Sequence, residues 1–208
     1  ALSLAKIYKN SPDPEGGHIE KDAISGELTG RLLESATSAI ENLIPNKFTK
    51  ADYQEGAKII SDMMAKTGIT SVTDAGTGAR SLQSYQDAHE HNELKTRIYC
   101  MIRSYAIDEI IQTGKKTGDG DKWVKIGGMK LTCDGSISER TARLSKPYIG
   151  RPNDYGIMVM EEEEVYKYAH KAHTNGWQVQ IVLGTDRWHR SPYPHHKRPR
   201  VWSPVRHH

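Results

Sequence analysis

The chain has 208 residues, of which 36% are hydrophobic and 26% charged, with a single Phe and a formal net charge of +3. That length allows one domain with a real core but falls short of the roughly 250 residues of a complete eightfold β/α barrel. No run approaches the roughly 18 apolar residues of a membrane span, and Ala1-Leu-Ser-Leu-Ala-Lys6 lacks the charged region and apolar run of a secretory signal.

Residues 1–30 are rich in turns. Ser11-Pro-Asp-Pro-Glu-Gly-Gly17 predicts a rigid loop, and His18 to Asp22 with Leu28 to Leu32 predict a small hairpin. A helix is expected from Ser35 to before Pro45. Thr49, with Asp52 three residues on, predicts a capped helix start, and Tyr53, Ala57, Ile60 and Met64 share one helical face. Gly68 should end that helix. Residues 69–73 are β-branched and predict a strand, followed by a loop over Asp74-Ala-Gly-Thr-Gly78.

The alternation continues. Helices are predicted over 80–92 and 106–114, strands over 96–104 and 124–132, and a long loop over 133–158. Glu161 to Glu164 favour a helix N-terminus through the macrodipole; that helix should run to Asn175-Gly176, and 177–183 should form another strand. About four β/α units imply an α/β fold with a parallel sheet, half of an eightfold barrel. Cys100 and Cys133 both fall in strand-like runs and are not spaced as a zinc site. They predict free thiols in a reducing, cytoplasmic setting.

From Arg187 the composition breaks. Residues 187–208 hold six Lys/Arg, five His and no acid, and without them the overall balance turns acidic. Residues 1–186 are therefore expected to form the domain, and 187–208 an atypical basic tail of out-of-frame or tag-derived origin. The absence of an initiator Met is compatible with a natural start upstream.

Several segments, in order, resemble one branch of the amidohydrolase superfamily, the branch that contains N-substituted formamide deformylase. They are Ser11-Pro-Asp-Pro-Glu-Gly-Gly17, Asp22-Ala-Ile-Ser-Gly-Glu-Leu-Thr-Gly30, Leu33-Glu-Ser-Ala36, Gly68-Ile-Thr-Ser-Val-Thr-Asp-Ala-Gly76, Lys130-Leu-Thr-Cys-Asp-Gly-Ser136, Arg140-Thr-Ala142 and Gly176-Trp-Gln-Val179. The resemblance covers roughly residues 8–182. It implies a partial TIM barrel, hydrolysis of an amide-type C–N bond in a small-molecule substrate, and a divalent metal, zinc by preference. It also implies that the metal-binding His-x-His precedes Ala1, that two further ligands and the general base follow, and that the fragment is inactive alone.

Lys130 ends an apolar strand, where barrel chemistry is built. The residues themselves leave two readings open, an ion pair with a carboxylate such as Asp134 or a metal ligand. The resemblance implies the second, with Lys130 carbamylated in the intact enzyme. Asp134, Ser136 and Arg140, with Thr141, follow on a loop and are candidate substrate contacts; the alternative is a structural turn in which Asp134 caps its own loop. Asp74 is expected to cap a loop. Relatives place a metal-ligating His where this chain has Val182, which cannot ligate.

Other histidines are expected to be structural. His89 and His91 lie two apart on a predicted helix and diverge, and His170 and His173 share a helix with Lys167 and Lys171. Two other functions stay open. One is a non-catalytic barrel fragment or pseudo-enzyme, whose open sheet edges favour a homo-oligomer. The other is nucleic-acid binding through the tail, whose Arg, Lys, Trp and Tyr suit phosphate contact and stacking; the acidic body weighs against it.

Overall fold

The structure, a computed structural model, describes residues 1–45 and 47–184. The basic tail and its proposed nucleic-acid contacts lie outside the described residues. The chain divides into two compact units.

The first unit takes Ala1–Asn46, Thr132–Val165 and the described residues 182–184. Its antiparallel hairpin joins β1 (Gly17–Lys21) to β2 (Leu28–Glu34). Ile7, Ile19 and Ala36 form a small core, with Leu2, Ala5, Leu28 and Leu32 packed against it. The helix predicted from Ser35 shrinks to a 3₁₀ turn at Ser35–Thr37 and one α-turn, α1 (Ser38–Glu41). Neither start has a side-chain cap and only Ala36 is buried, so little opposes the entropy of ordering. The predicted loop over 133–158 folds back on itself. Asp134 and Met158 form an antiparallel bridge, and Ile157 N–H donates to Thr141 O at 2.7 Å.

The second unit takes Lys47–Leu131 and Tyr166–Ile181. Its first helix, α2 (Lys50–Lys66), starts with the predicted capping box, in which Thr49 Oγ1 accepts from Asp52 N–H and the Asp52 carboxylate accepts from Thr49 N–H. The strand β3 (Ser71–Thr77) begins and ends later than expected. The glycines that predict a loop from Asp74 onward instead accompany a bulge within the strand. The Asp74 carboxylate accepts from Gly76 N–H and from the Thr77 hydroxyl, which holds that bulge. Pairing then resumes at Thr77, opposite Ile102.

Next come α3 (Ala79–Glu90), β4 (Arg97–Arg103), α4 (Ile107–Gln112), β5 (Val124–Thr132), α5 (Glu162–Thr174) and β6 (Val179–Val182). The sheet order is β3-β4-β5-β6, with β3 parallel to β4 and β4 parallel to β5. Each strand joins the same side of its predecessor, as right-handed β/α units do. Val124, Ile126, Met129 and Leu131 of β5 are all buried, the pattern of a parallel strand covered on both faces. At Gly127 an added Cβ would lie 2.1 Å from the Tyr99 ring. A glycine there lets the aromatic lie on the backbone beside the bulge between Cys100 and Met101.

Ser61 anchors α2 to the chain entering β4. Its Oγ accepts from Lys95 N–H at 2.7 Å and Thr96 N–H at 3.0 Å, and Ser61 and Thr96 are buried. Ser61→Ala leaves both donors without a partner and should cost about 2 kcal/mol. The check is the urea unfolding midpoint; an unchanged midpoint would refute the anchoring role.

Candidate functional site

Lys130 lies in the second unit, third from the end of β5 and paired in register with Arg103 at the end of β4. Its neighbours Met129 and Leu131 are fully buried, which fixes the strand and leaves Lys130 partly exposed on the alternate face. Desolvation, then the Arg103 charge, pushes its amine below the usual lysine range, against an opposing pull from Asp74. Among the described residues no carboxylate lies within ion-pairing distance of Lys130 Nζ. The side chain is an amine of reduced basicity near a strand end.

Asp74 stands near this amine but is committed elsewhere. Besides holding the β3 bulge, it accepts from Tyr85 Oη at 3.0 Å. Burial, then the Asp74 charge, pushes the Tyr85 phenol well up, so it stays a donor. The buried Cys100 thiol is pushed up to about 12, chiefly by desolvation. Cys133, in the first unit, is also raised to about 12 by desolvation, then by Asp134 and Glu164. Both are free and buried.

Asp134, Ser136 and Arg140 all fall in the first unit. Asp134 is 1% exposed, and its two oxygens accept from Gly184 N–H at 2.8 Å and Arg143 N–H at 2.9 Å. Its carboxylate is thus used in holding the loop. Ser136 and Arg140 are exposed. Ser136 shares a hydroxyl bond with Ser138 at 2.7 Å, and its N–H donates to Thr141 Oγ1. Arg140 has φ 56°, a left-handed backbone rare for a non-glycine residue. Its N–H donates to Ile137 O.

Glu34 has a role that its sequence neighbourhood does not announce. The Thr141 hydroxyl donates to the Glu34 carboxylate at 2.5 Å across 107 residues. That contact joins the Leu33-Glu-Ser-Ala36 segment to Arg140-Thr-Ala142. An added Cβ at Gly135 would lie 2.2 Å from Thr141 Oγ1 and 2.5 Å from Glu34 Oε1, so glycine there follows from the close approach. Each segment is recognisable by itself, but nothing in their spacing shows that they touch. Arg103 and Arg143 are likewise silent in sequence, for want of any motif around them.

Val182 ends β6, half exposed, with its carbonyl accepting from Cys133 N–H at 3.2 Å. His89 Nε2 bonds Asp121 at 2.7 Å while His91 Nδ1 bonds the Asp87 carbonyl at 2.7 Å, so the pair diverges as expected. His170 stacks on Tyr166, and His18 bonds Asp13. Among the described residues no three His, Cys, Asp or Glu side chains converge as a metal site would need. Lys130 alone is not a ligand set, so these donors do not fit a metal by themselves.

The sequence model of the amidohydrolase family matches residues 1–190. YtcJ, a candidate amidohydrolase of Bacillus subtilis (strain 168), is 30% identical over 87% of this chain and 34% of its own length. The N-substituted formamide deformylase of Arthrobacter pascens is 34% identical over 42% of this chain and 17% of its own. An uncharacterized metal-dependent hydrolase from Pyrococcus horikoshii OT3 superposes with a TM-score of 0.67, at 24% identity, over 89% of this chain and 36% of that one. The chain thus spans about a third of the length of the relatives that match most of it.

The geometry of Asp134 sets an expectation. In Asp134→Asn one of the two acceptors becomes an N–H₂ group facing a backbone donor. The loss should be about 2 kcal/mol locally, seen as roughly 30-fold faster hydrogen exchange at the Arg143 and Gly184 amides. Unchanged exchange at both amides would show that the carboxylate does not hold the loop.

Proposed function

This chain belongs to the amidohydrolase family, and on that basis we propose that it is part of a metal-dependent hydrolase that cleaves an amide-type C–N bond in a small molecule. The four parallel strands are, in this reading, half of a TIM barrel, with Lys130 at the end of a strand where such barrels carry their chemistry. A divalent ion, zinc by preference, would polarise the carbonyl and activate water in the whole protein. The described residues do not form a ligand set around it, so the reading assigns this chain alone no turnover.

One observation carries the proposal: the depressed basicity of the Lys130 amine, which has no carboxylate partner among the described residues. A neutral amine attacks carbon dioxide, forming an N–C bond and releasing one proton to solvent. The product is an anionic oxygen donor in place of a cation. Arg103, which opposes the ammonium form, becomes a favourable neighbour once that charge is reversed. The same residue therefore favours the neutral amine before the reaction and the anion after it. On the loop, Ser136 and Arg140 are the proposed substrate contacts, and Asp134 fixes their backbone.

The test is carbon NMR of the chain in ¹³C-bicarbonate. A carbamate carbon should appear and should be absent from Lys130→Arg. Arg103→Met should raise the lysine pKa and move carbamate formation to higher pH, because less neutral amine is then present at any given pH. No carbamate signal at any pH, or an undiminished one in Lys130→Arg, would remove the support for the metal-ligand role.

A further inference from the structure

The first unit contains a cavity of about 700 Å³, lined by the β1–β2 hairpin and by residues 139–157. That size falls in the range of small-molecule sites. Four arginines line it, and two of them are neutralised. Arg31 pairs with Glu20 at 3.3 Å and Glu139 at 3.6 Å, and Arg151 pairs with Asp154 at 3.1 Å. Asp13, the remaining lining acid, is taken by His18 at 2.7 Å and by the Ile19 N–H.

Arg140 and Arg143 are left without a carboxylate among the described residues. Arg143 sits with its guanidinium 5.6 Å from the Tyr155 ring centre, and its Nη1 donates to Gly156 O at 3.2 Å. Among the described residues its Nε is buried with no hydrogen-bond partner. The Nε is closed off, so a ligand in the cavity is met by the outer nitrogens of the guanidinium fork, a shape and charge suited to an oxyanion. Arg140 is held in its left-handed turn at the rim, its side chain making no bond among the described residues. Leu33, Pro152 and Ile157 supply an apolar wall.

We propose that this cavity binds a small organic oxyanion, its carboxylate or phosphate held between Arg140 and Arg143 and its apolar part against Leu33 and Pro152. The proposal deepens the reading of Arg140 as a substrate contact by giving the ligand a negative charge. Its test reads binding and not turnover, so its failure leaves the hydrolase reading standing.

The experiment is calorimetric titration of the 208-residue chain with benzoate, with its uncharged analogue benzamide, and with inorganic phosphate. Benzoate should bind at least about tenfold more tightly than benzamide, and Arg140→Gln should remove that preference. Arg143→Gln should do the same where it folds; Arg140→Gln, at an exposed residue, carries the test where it does not. Binding of phosphate in place of benzoate, equally lost in Arg140→Gln, supports the site and identifies a phosphate ligand. Equal affinity for benzoate and benzamide, no binding of either anion, or binding indifferent to Arg140→Gln overturns it.

Discussion

The buried Asp134 carboxylate is the constraint on which the first unit depends. A buried acid is stable only when its oxygens are met by donors, and here the donors are the backbone N–H groups of Arg143, nearby in sequence, and of Gly184, far from it. The Arg143 contact closes the loop that runs from Asp134 to Arg143. Thr141 then lies where its hydroxyl reaches Glu34, and Gly135 must be a glycine to let them meet. The Arg140 backbone turn and the placing of Arg143 follow from the same closure. The loop is ordered by polar contacts more than by apolar area, in keeping with the few apolar residues of this unit's core.

The second unit works differently. Its order comes from a parallel sheet in which β5 is the buried strand, and the burial of Met129 and Leu131 leaves Lys130 only the alternate face to take. An amine placed there meets Arg103 across the strand pair and a desolvating surround, and both press it towards neutrality. The lowered basicity at this position is thus a product of strand register. A slip of one residue in β5 would bury the lysine and expose Met129.

Much of the second unit is legible from residue order. The Thr49–Asp52 cap is local chemistry, and β5 matches its expected bounds because its apolar residues, Val124, Ile126, Met129 and Leu131, are spread along its whole length. Local pattern misleads at Ser35–Ile44, where the residues include helix formers but no side-chain cap forms, only Ala36 is buried, and Leu43 and Ile44 stay exposed. It misleads again at Asp74–Thr77, where glycines that signal a loop serve a bulge instead. In the candidate site, residue types are readable in sequence and partners are not. Asp134 can be suspected of capping from its Asp-Gly pair, whereas Glu34 meeting Thr141 or Arg103 facing Lys130 depends on register and on loops closed over long separations, which no local pattern encodes.

The Thr141–Glu34 contact spans 107 residues, and that separation bears on how the protein is made. The first unit is assembled from pieces of chain with most of the second unit between them. During synthesis its amino-terminal hairpin leaves the ribosome long before the loop that completes it. At roughly 5–20 residues per second, the hairpin waits several seconds for that loop, with Glu34 still lacking its hydroxyl partner. Loops of such length are entropically slow to close. The hairpin, made well before its partner loop, is therefore among the last segments of this unit to reach its final packing, and its exposed interval is the one in which a chaperone would find it.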